Sequence, residues 1–243
     1  MIESVPNPPI FGVARNHFSL KLPVENHELA LSHPLLDGIP VPETIERSVP
    51  KRKLQFLAGR ACAGKALELE GVKGSPEIHI GPKGNPVWPK GFVGSITHLN
   101  GLASAVVARS EDLLGLGMDV EEVMSRPLAE KIASRISTAS ELRACFECCP
   151  DWPPEQVLTL CFSAKESAYK CLSPLIEGSP GFHSFGIGSI NPVSNVFCIY
   201  LTVDFSKDFP IATPFFGKFN LSGKRIHTSL EIRHSPPPEN LLP

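Results

Sequence analysis

Two carboxylates, Asp119 and Glu121, stand two positions apart at the end of GLGMDVEE, residues 115–122. In an extended strand side chains alternate, so both leave one face while Val120 points into a core. Unpaired like charges at that spacing repel, and one tends to keep its proton. A divalent cation held between them removes the conflict: Mg2+ takes carboxylate oxygens and keeps positions open for water and phosphate. Alone, an Asp-x-Glu triplet is far more often a solvated strand end than a metal site. A second set lies in FSAKESAYK, residues 162–170. Glu166 and Lys170 are four apart and share a helix face, with Ser163 one turn before Glu166 on a neighbouring face. Glu followed by Lys at that spacing is also the commonest surface ion pair of helices, worth about a few tenths of a kcal/mol. The apolar flanks VLTLCF and AYKCL argue for more. They make the helix largely buried, and a charge set into it needs a partner. If the strand comes alongside, three carboxylates and a lysine make an Mg2+ site with open positions.

The elements that must hold these groups are legible from period and punctuation. Leu54, Leu57, Ala58, Ala61 and Leu69 form a helical stripe that predicts a long helix from Pro50 to Glu70, stopped at Gly71. GPKGNPVWP, residues 81–89, is a glycine- and proline-marked loop. FVGSITH and LASAVVA flank an LNG turn, a hairpin pattern, and DLLGLGMDVEEV continues as a strand. RPLAEKIASRI and TASELRACF read as short helices, the second opened by a capping box of Thr138 and Glu141. A long helix from Pro154 to Ile176 follows. Then come strands in FHSFGIGSI, NVFCIYLTV, FFGKFNLS and KRIHTSLEIR. Residues 1–42 are irregular, with HFSLKL as a strand candidate, and SPPPENLLP is a loose tail. Each half is thus a long helix followed by antiparallel strands, an α+β plan repeated in architecture and not in residues.

Bulk properties narrow the function. The 243 residues are 42% hydrophobic with a formal net charge of −2. That suits one large or two modest domains with real cores, and no basic excess calls for nucleic acid. The 25 prolines are about twice the usual share, so ordered parts alternate with loops. MIESVPNPPIFG lacks the basic and apolar regions of a secretory signal, and no run of eighteen apolar residues occurs. No transmembrane segment is expected. Seven cysteines without a signal read as reduced thiols of a cytoplasmic chain. CFECC (Cys145, Cys148, Cys149) lacks a second Cys/His pair at finger spacing, so inert helix thiols are the better reading than zinc.

Taken together the motifs resemble those of 4′-phosphopantetheinyl transferases, of the larger two-lobed, enterobactin-type branch. GLGMDVEE with FSAKESAYK looks like the family's paired signature. In chain order, KRKLQFLAGRACA resembles the first-lobe helix, GPKGNPVWP a GxxGxPxWP loop, and GSITHLNG an SISHS segment. The resemblance covers roughly residues 50–172. Phe162 stands where many relatives have Trp, and Thr97 where many have Ser; both keep the chemistry.

The resemblance implies two similar lobes in pseudo-twofold arrangement, residues 1–114 and 115–243, each a long helix on a small antiparallel sheet. It also implies transfer of 4′-phosphopantetheine from coenzyme A to a serine of apo acyl or peptidyl carrier proteins. Adenosine 3′,5′-bisphosphate leaves, and the chain acts as a monomer. Asp119, Glu121 and Glu166 are the implied ligands of Mg2+, with Mn2+ as the alternative ion. Glu166 is the implied general base, directly or through a metal-bound water, and Lys170 holds a phosphate oxygen. Arg52, Arg60, Lys83, Thr97 and His98 are the implied donors to coenzyme A, with Asp119 and Lys170 on its pyrophosphate side. Arg60 can equally tie its helix to a loop carboxylate, and Lys51 and Lys53 read as solvated. Two other classes compete: a different Mg2+-dependent enzyme of pyrophosphate bonds, and a catalytically silent carrier-binding module. The first should show a P-loop or a glutamate-rich motif, and neither is present. The second should have lost a carboxylate or Lys170.

Overall fold

A computed structural model describes residues 1–11, 16–74, 76–82 and 84–234. The chain divides into two compact units, Met1–Pro9 with Val13–Ala108, and Ile10–Gly12 with Arg109–Pro243.

In the first unit come β1 (Glu3–Ser4), β2 (Asn16–Lys21), the single-turn helices α1 (His27–Ala30) and α2 (Glu43–Glu46), and the long α3 (Pro50–Leu69). They are followed by the two-residue pair β3 (His79–Ile80) and β4 (Pro86–Val87), then β5 (Phe92–Leu99) and β6 (Leu102–Arg109). The main sheet runs β1-β2-β6-β5. Leu54, Leu57, Ala58, Cys62 and Leu67 of α3 pack on Leu20, Ala103, Ala105 and Val107 of that sheet. Proline opens α3 at its first position, where the missing N–H costs nothing. Gly71, at φ +85°, takes the chain out. The expected stripe departs from the structure at its edges: Ala61 is half-buried and Leu69 is exposed. Leu69 is the last helical residue, and the backbone leaves the helical path directly after it. Lys53 is paired rather than solvated, with its ammonium 2.7 Å from Glu46.

The second unit is built from β7 (Leu113–Glu122), α4 (Arg126–Ile136), α5 (Ala139–Cys148), α6 (Pro154–Leu172), β8 (Phe185–Asn191), β9 (Val196–Leu201), β10 (Pro214–Ser222) and β11 (Arg225–Arg233). These five strands form a sheet in the order β7-β11-β10-β9-β8. The paired neighbours β7/β11, β11/β10, β10/β9 and β9/β8 are all antiparallel. Val157, Leu160, Ala164, Ala168 and Leu172 of α6 pack against Phe197, Ile199, Phe219, Ile226 and Leu230 of the sheet. The capping box of α5 is present in both directions, Glu141 N–H to Thr138 Oγ1 at 3.2 Å and Thr138 N–H to Glu141 Oε2 at 3.4 Å. Two boundaries differ from expectation. Helix α6 ends at Leu172, because Pro174 has no N–H and cannot continue it. Residues Phe182–Ser184 form a 3-10 turn, so β8 begins only at Phe185.

The α+β expectation therefore holds, with a long helix on an antiparallel sheet in each unit. All seven cysteines are free thiols, and Cys145 and Cys149 are buried in the second core. The expected C-terminal tail lies outside the described residues. Among the described residues no helix is long and apolar enough to cross a membrane.

Candidate functional site

The opening motif works through its glycines. Gly115, Gly117, Asp119 and Glu121 alternate onto one face of β7. A Cβ at Gly117 would lie 1.9 Å from the Ser167 carbonyl oxygen, and one at Gly115 2.7 Å from that of Cys171. Helix α6 thus lies against bare strand backbone, closer than any side chain permits. Two residues on, the same face emerges with Asp119, which is only 3% exposed.

Helix α6 meets that carboxylate with two donors. Ser163 Oγ donates to Asp119 Oδ2 at 2.9 Å, and Lys170 Nζ donates to Oδ1 at 2.5 Å. Thr228, opposite Asp119 on β11, donates to the Ser163 carbonyl at 2.8 Å. Its hydroxyl also lies 2.9 Å from Ser163 Oγ. Strand, helix and neighbouring strand are therefore pinned at one point. Burying Asp119 is tolerable because both oxygens are satisfied and one partner is a cation.

Glu121 and Glu166 lie in the field of this pair. Burial pushes the Glu121 carboxyl up to about 8; the charges of Asp119 and Glu166 add to the rise and that of Lys170 opposes it. The Glu166 carboxyl is also raised, chiefly by burial, with Lys170 pulling it down and Asp119 pushing it up. His227, paired with Val120 on β11, is pushed down to about 4 by burial and by Arg225, against the pull of Asp119. Glu166 also lines a cavity of about 190 Å3 with Lys165, Tyr169, Phe182 and Phe185.

The structure thus brings Asp119, Glu121, Glu166 and Lys170 within electrostatic reach of one another. Among the described residues no three carboxylate, imidazole or thiol side chains already stand in coordinating geometry, and the Lys170 ammonium holds Asp119. The donor set is nevertheless one that fits a hard divalent cation: oxygens only, more carboxyls than cations, and two carboxyls whose proton affinity is raised by burial and repulsion.

In the first unit, Arg52 Nη1 lies 2.8 Å from His98 Nε2, so that ring nitrogen accepts and the imidazole is neutral there. Arg60 Nε donates to the Ile78 carbonyl at 2.9 Å, and its guanidinium lies 4.7 Å from the Phe56 ring centre. Its loop partner is a carbonyl, not the carboxylate of the structural alternative. Burial, and then Arg52, lower the Arg60 pKa to about 10. Thr97 is buried on β5, and Lys83 lies outside the described residues.

Sequence reasoning missed Thr228 and Lys165. Thr228 sits in an ordinary alternating strand and gives no local sign. Lys165 has one, a lysine inside an apolar helical run, and its side chain is wholly buried against Glu141.

The model of the 4′-phosphopantetheinyl transferase N-terminal domain matches residues 41–108, and that of the 4′-phosphopantetheinyl transferase superfamily matches residues 115–213. The chain is similar to enterobactin synthase component D of Salmonella typhi, 36% identical over 185 residues, covering 72% of this chain and 74% of that protein. It is 38% identical over 131 residues to the 4′-phosphopantetheinyl transferase Svp of Streptomyces mobaraensis, covering 54% and 52%. It is 37% identical over 148 residues to the 4′-phosphopantetheinyl transferase PptT of Mycobacterium tuberculosis, covering 59% and 62%. Both halves of the described fold are matched in order, and residues 115–122 of the acidic strand and its partner helix fall inside the second match. The chain belongs to the 4′-phosphopantetheinyl transferase superfamily and is a 4′-phosphopantetheinyl transferase.

Proposed function

We propose that the protein moves 4′-phosphopantetheine from coenzyme A to a serine of apo carrier proteins and releases adenosine 3′,5′-bisphosphate. The observation that carries this reading is the α6–β7 seam, where three carboxylates and one ammonium are gathered and two of the carboxyls are raised. Asp119, Glu121 and Glu166 would hold Mg2+, which when bound neutralises pyrophosphate charge and stabilises the leaving oxygen. Glu166 accepts the proton of the attacking serine hydroxyl. Its raised carboxyl makes it a better base than an exposed glutamate, provided it is ionised at working pH. Lys170 exchanges its bond to Asp119 for one to a phosphate oxygen, where a compact ammonium serves well. Arg52, Arg60, Thr97 and His98 are the proposed donors to coenzyme A, with Lys83 as a further one. Arg52 and Arg60 suit the 3′-phosphate because guanidinium offers a planar pair of donors.

Relatives named as enterobactin synthase components favour carriers of siderophore or peptide-synthetase type as acceptors. A monomeric enzyme of a reducing cytoplasm belongs to the same reading, which the seven free thiols support. The test is direct. Apo carrier protein is incubated with coenzyme A and Mg2+ and weighed, and a mass gain of one phosphopantetheine is expected. No gain with peptidyl, polyketide or fatty-acid carriers would refute it.

A further inference from the structure

Lys165 is the one charged residue of FSAKESAYK that the proposed chemistry leaves unused. Its side chain is 0% exposed, and its three ammonium donors meet three acceptors: Glu141 Oε1 at 2.8 Å, Glu141 Oε2 at 3.1 Å and the Ile136 carbonyl at 2.9 Å. The Glu141 carboxylate is itself shared. Its Oε1 accepts the Ile187 N–H at 2.7 Å, and its Oε2 accepts the N–H of the cap residue Thr138. One ammonium therefore ties α6 to the last residue of α4, the first turn of α5 and the irregular point of β8, where pairing shifts between Ile187 and Ser189.

Buried ion pairs are poor sources of stability, because desolvation cancels most of their attraction. What this pair supplies is direction. Consecutive helical residues differ by about 100° around the axis, so fixing Lys165 fixes the azimuth of Glu166. Lys165, Glu166 and Phe185 also share a cavity wall, and Ile187 follows Phe185 on β8. Helix and strand on either side of that cavity are thus set by the same carboxylate.

We propose that the Glu141–Lys165 pair is a positioning device that aims Glu166. It touches neither substrate nor metal, and it acts by holding α6 in rotation and β8 in place. The inference rests on the reading of Glu166 as base and metal ligand.

The test replaces both charges with isosteres, Glu141→Gln with Lys165→Met. Gln keeps an oxygen for the Thr138 cap, its amide nitrogen gives up the bond from Ile187 N–H, and no unpaired charge remains. Lys165→Met alone is expected to lose folded protein, since it strands a buried carboxylate. In the double variant, hydrogen exchange over residues 160–172 should rise about tenfold or more while α3 stays unchanged. Turnover should fall about 10- to 100-fold, with coenzyme A affinity held within about threefold. If the double variant does not fold, Lys165→Arg takes its place, since it keeps the charge but cannot set three donors on the same acceptors. Exchange over 160–172 within about twofold of wild type overturns the proposal, as does turnover per folded molecule within about threefold. A wild-type protein that modifies no carrier refutes the functional reading instead, while exchange still decides whether the pair holds α6.

Discussion

Gly117→Ala is the sharpest perturbation of the α6–β7 seam. The added Cβ would sit 1.9 Å from the Ser167 carbonyl oxygen, with the Cys171 N and Cβ at 2.8 and 2.9 Å. Ordinary contact begins at 3.4 Å, so strand and helix must part by about 1.5 Å. The obstacle is helix backbone, which has no rotamer to escape into. Overpacking of this kind costs about 1–3 kcal/mol, and a backbone obstacle puts it at the upper end. For a chain of this size about 3 kcal/mol lowers Tm by about 6–12 °C. The same separation stretches the 2.5 Å bond from Lys170 to Asp119, and a displacement of about 1 Å at a reacting centre can cost about 100-fold in rate. Thermal melting by circular dichroism and carrier-modification kinetics read the two effects. Gly188→Ala is the control: its Cβ would meet nothing nearer than 3.5 Å, and a change within about 0.5 kcal/mol is expected. A Gly117→Ala protein with Tm within about 2 °C of wild type and full turnover would refute the close seam.

Glu166→Gln keeps size and loses basicity, so turnover should fall about 10²- to 10⁴-fold while coenzyme A affinity, by titration calorimetry, changes far less. A variant within a few-fold of wild type would reduce the Glu166–Lys170 pair to a salt bridge. Glu121 makes a pH prediction: its carboxyl titrates at about 8 in the fold against 4.5 as the reference value. Between those values the folded protein holds a proton that the unfolded chain has released, so metal-free stability in urea should fall as pH rises from 5 to 8. Mg2+ binding at pH 7 should then expel about one proton per ion, measured by calorimetry in buffers of different ionisation enthalpy, and no proton release would remove Glu121 from the ligand set. Arg52→Ala should erase any preference for coenzyme A over its 3′-dephospho form, a loss of about tenfold or more in affinity, and a retained preference would place the 3′-phosphate elsewhere.

Periodicity and punctuation located the elements that matter, because their local rules agree with the fold. Proline at the start of α3 and glycine beyond its end, the Asn100–Gly101 turn between β5 and β6, and the Thr138–Glu141 box all act within a few residues. The carboxylates were legible as a face of β7 for the same reason. What brings them to α6 was not. Nothing in a GLG tripeptide says which helix will lie on it, and Thr228 reaches Ser163 across 65 positions of chain. Lys165 shows the limit more plainly. Its sequence spacing to Glu166 and Lys170 places it on another face, and only the return of α5 supplies its carboxylate. For Arg60 a loop carboxylate stood as the alternative to a phosphate, and the structure gives its Nε a backbone oxygen, a distinction that sequence does not encode.

Helix α6 carries two incompatible tasks on two faces. Val157, Leu160, Ala164, Ala168 and Leu172 enter the apolar core, while Ser163, Glu166, Ser167 and Lys170 run along the β7 side. Stability favours apolar contact along the whole helix, and each glycine in β7 forfeits about 0.5–1 kcal/mol relative to alanine. On the proposed reading the seam accepts that loss because catalysis needs a short, fixed distance between Glu166 and the strand carboxylates, and side chains at 115 and 117 would hold the two apart. The buried polar groups of the helix are matched one by one. Thr159 and Ser167 donate to the Glu155 and Ala164 carbonyls, Ser163 to Asp119, and Lys165 to Glu141. The half-buried Glu166 carboxylate accepts none of these bonds, and burial raises its proton affinity. On the proposed reading, this half-buried carboxyl, raised by burial and by Asp119, gives up its proton when a cation arrives and then serves as base.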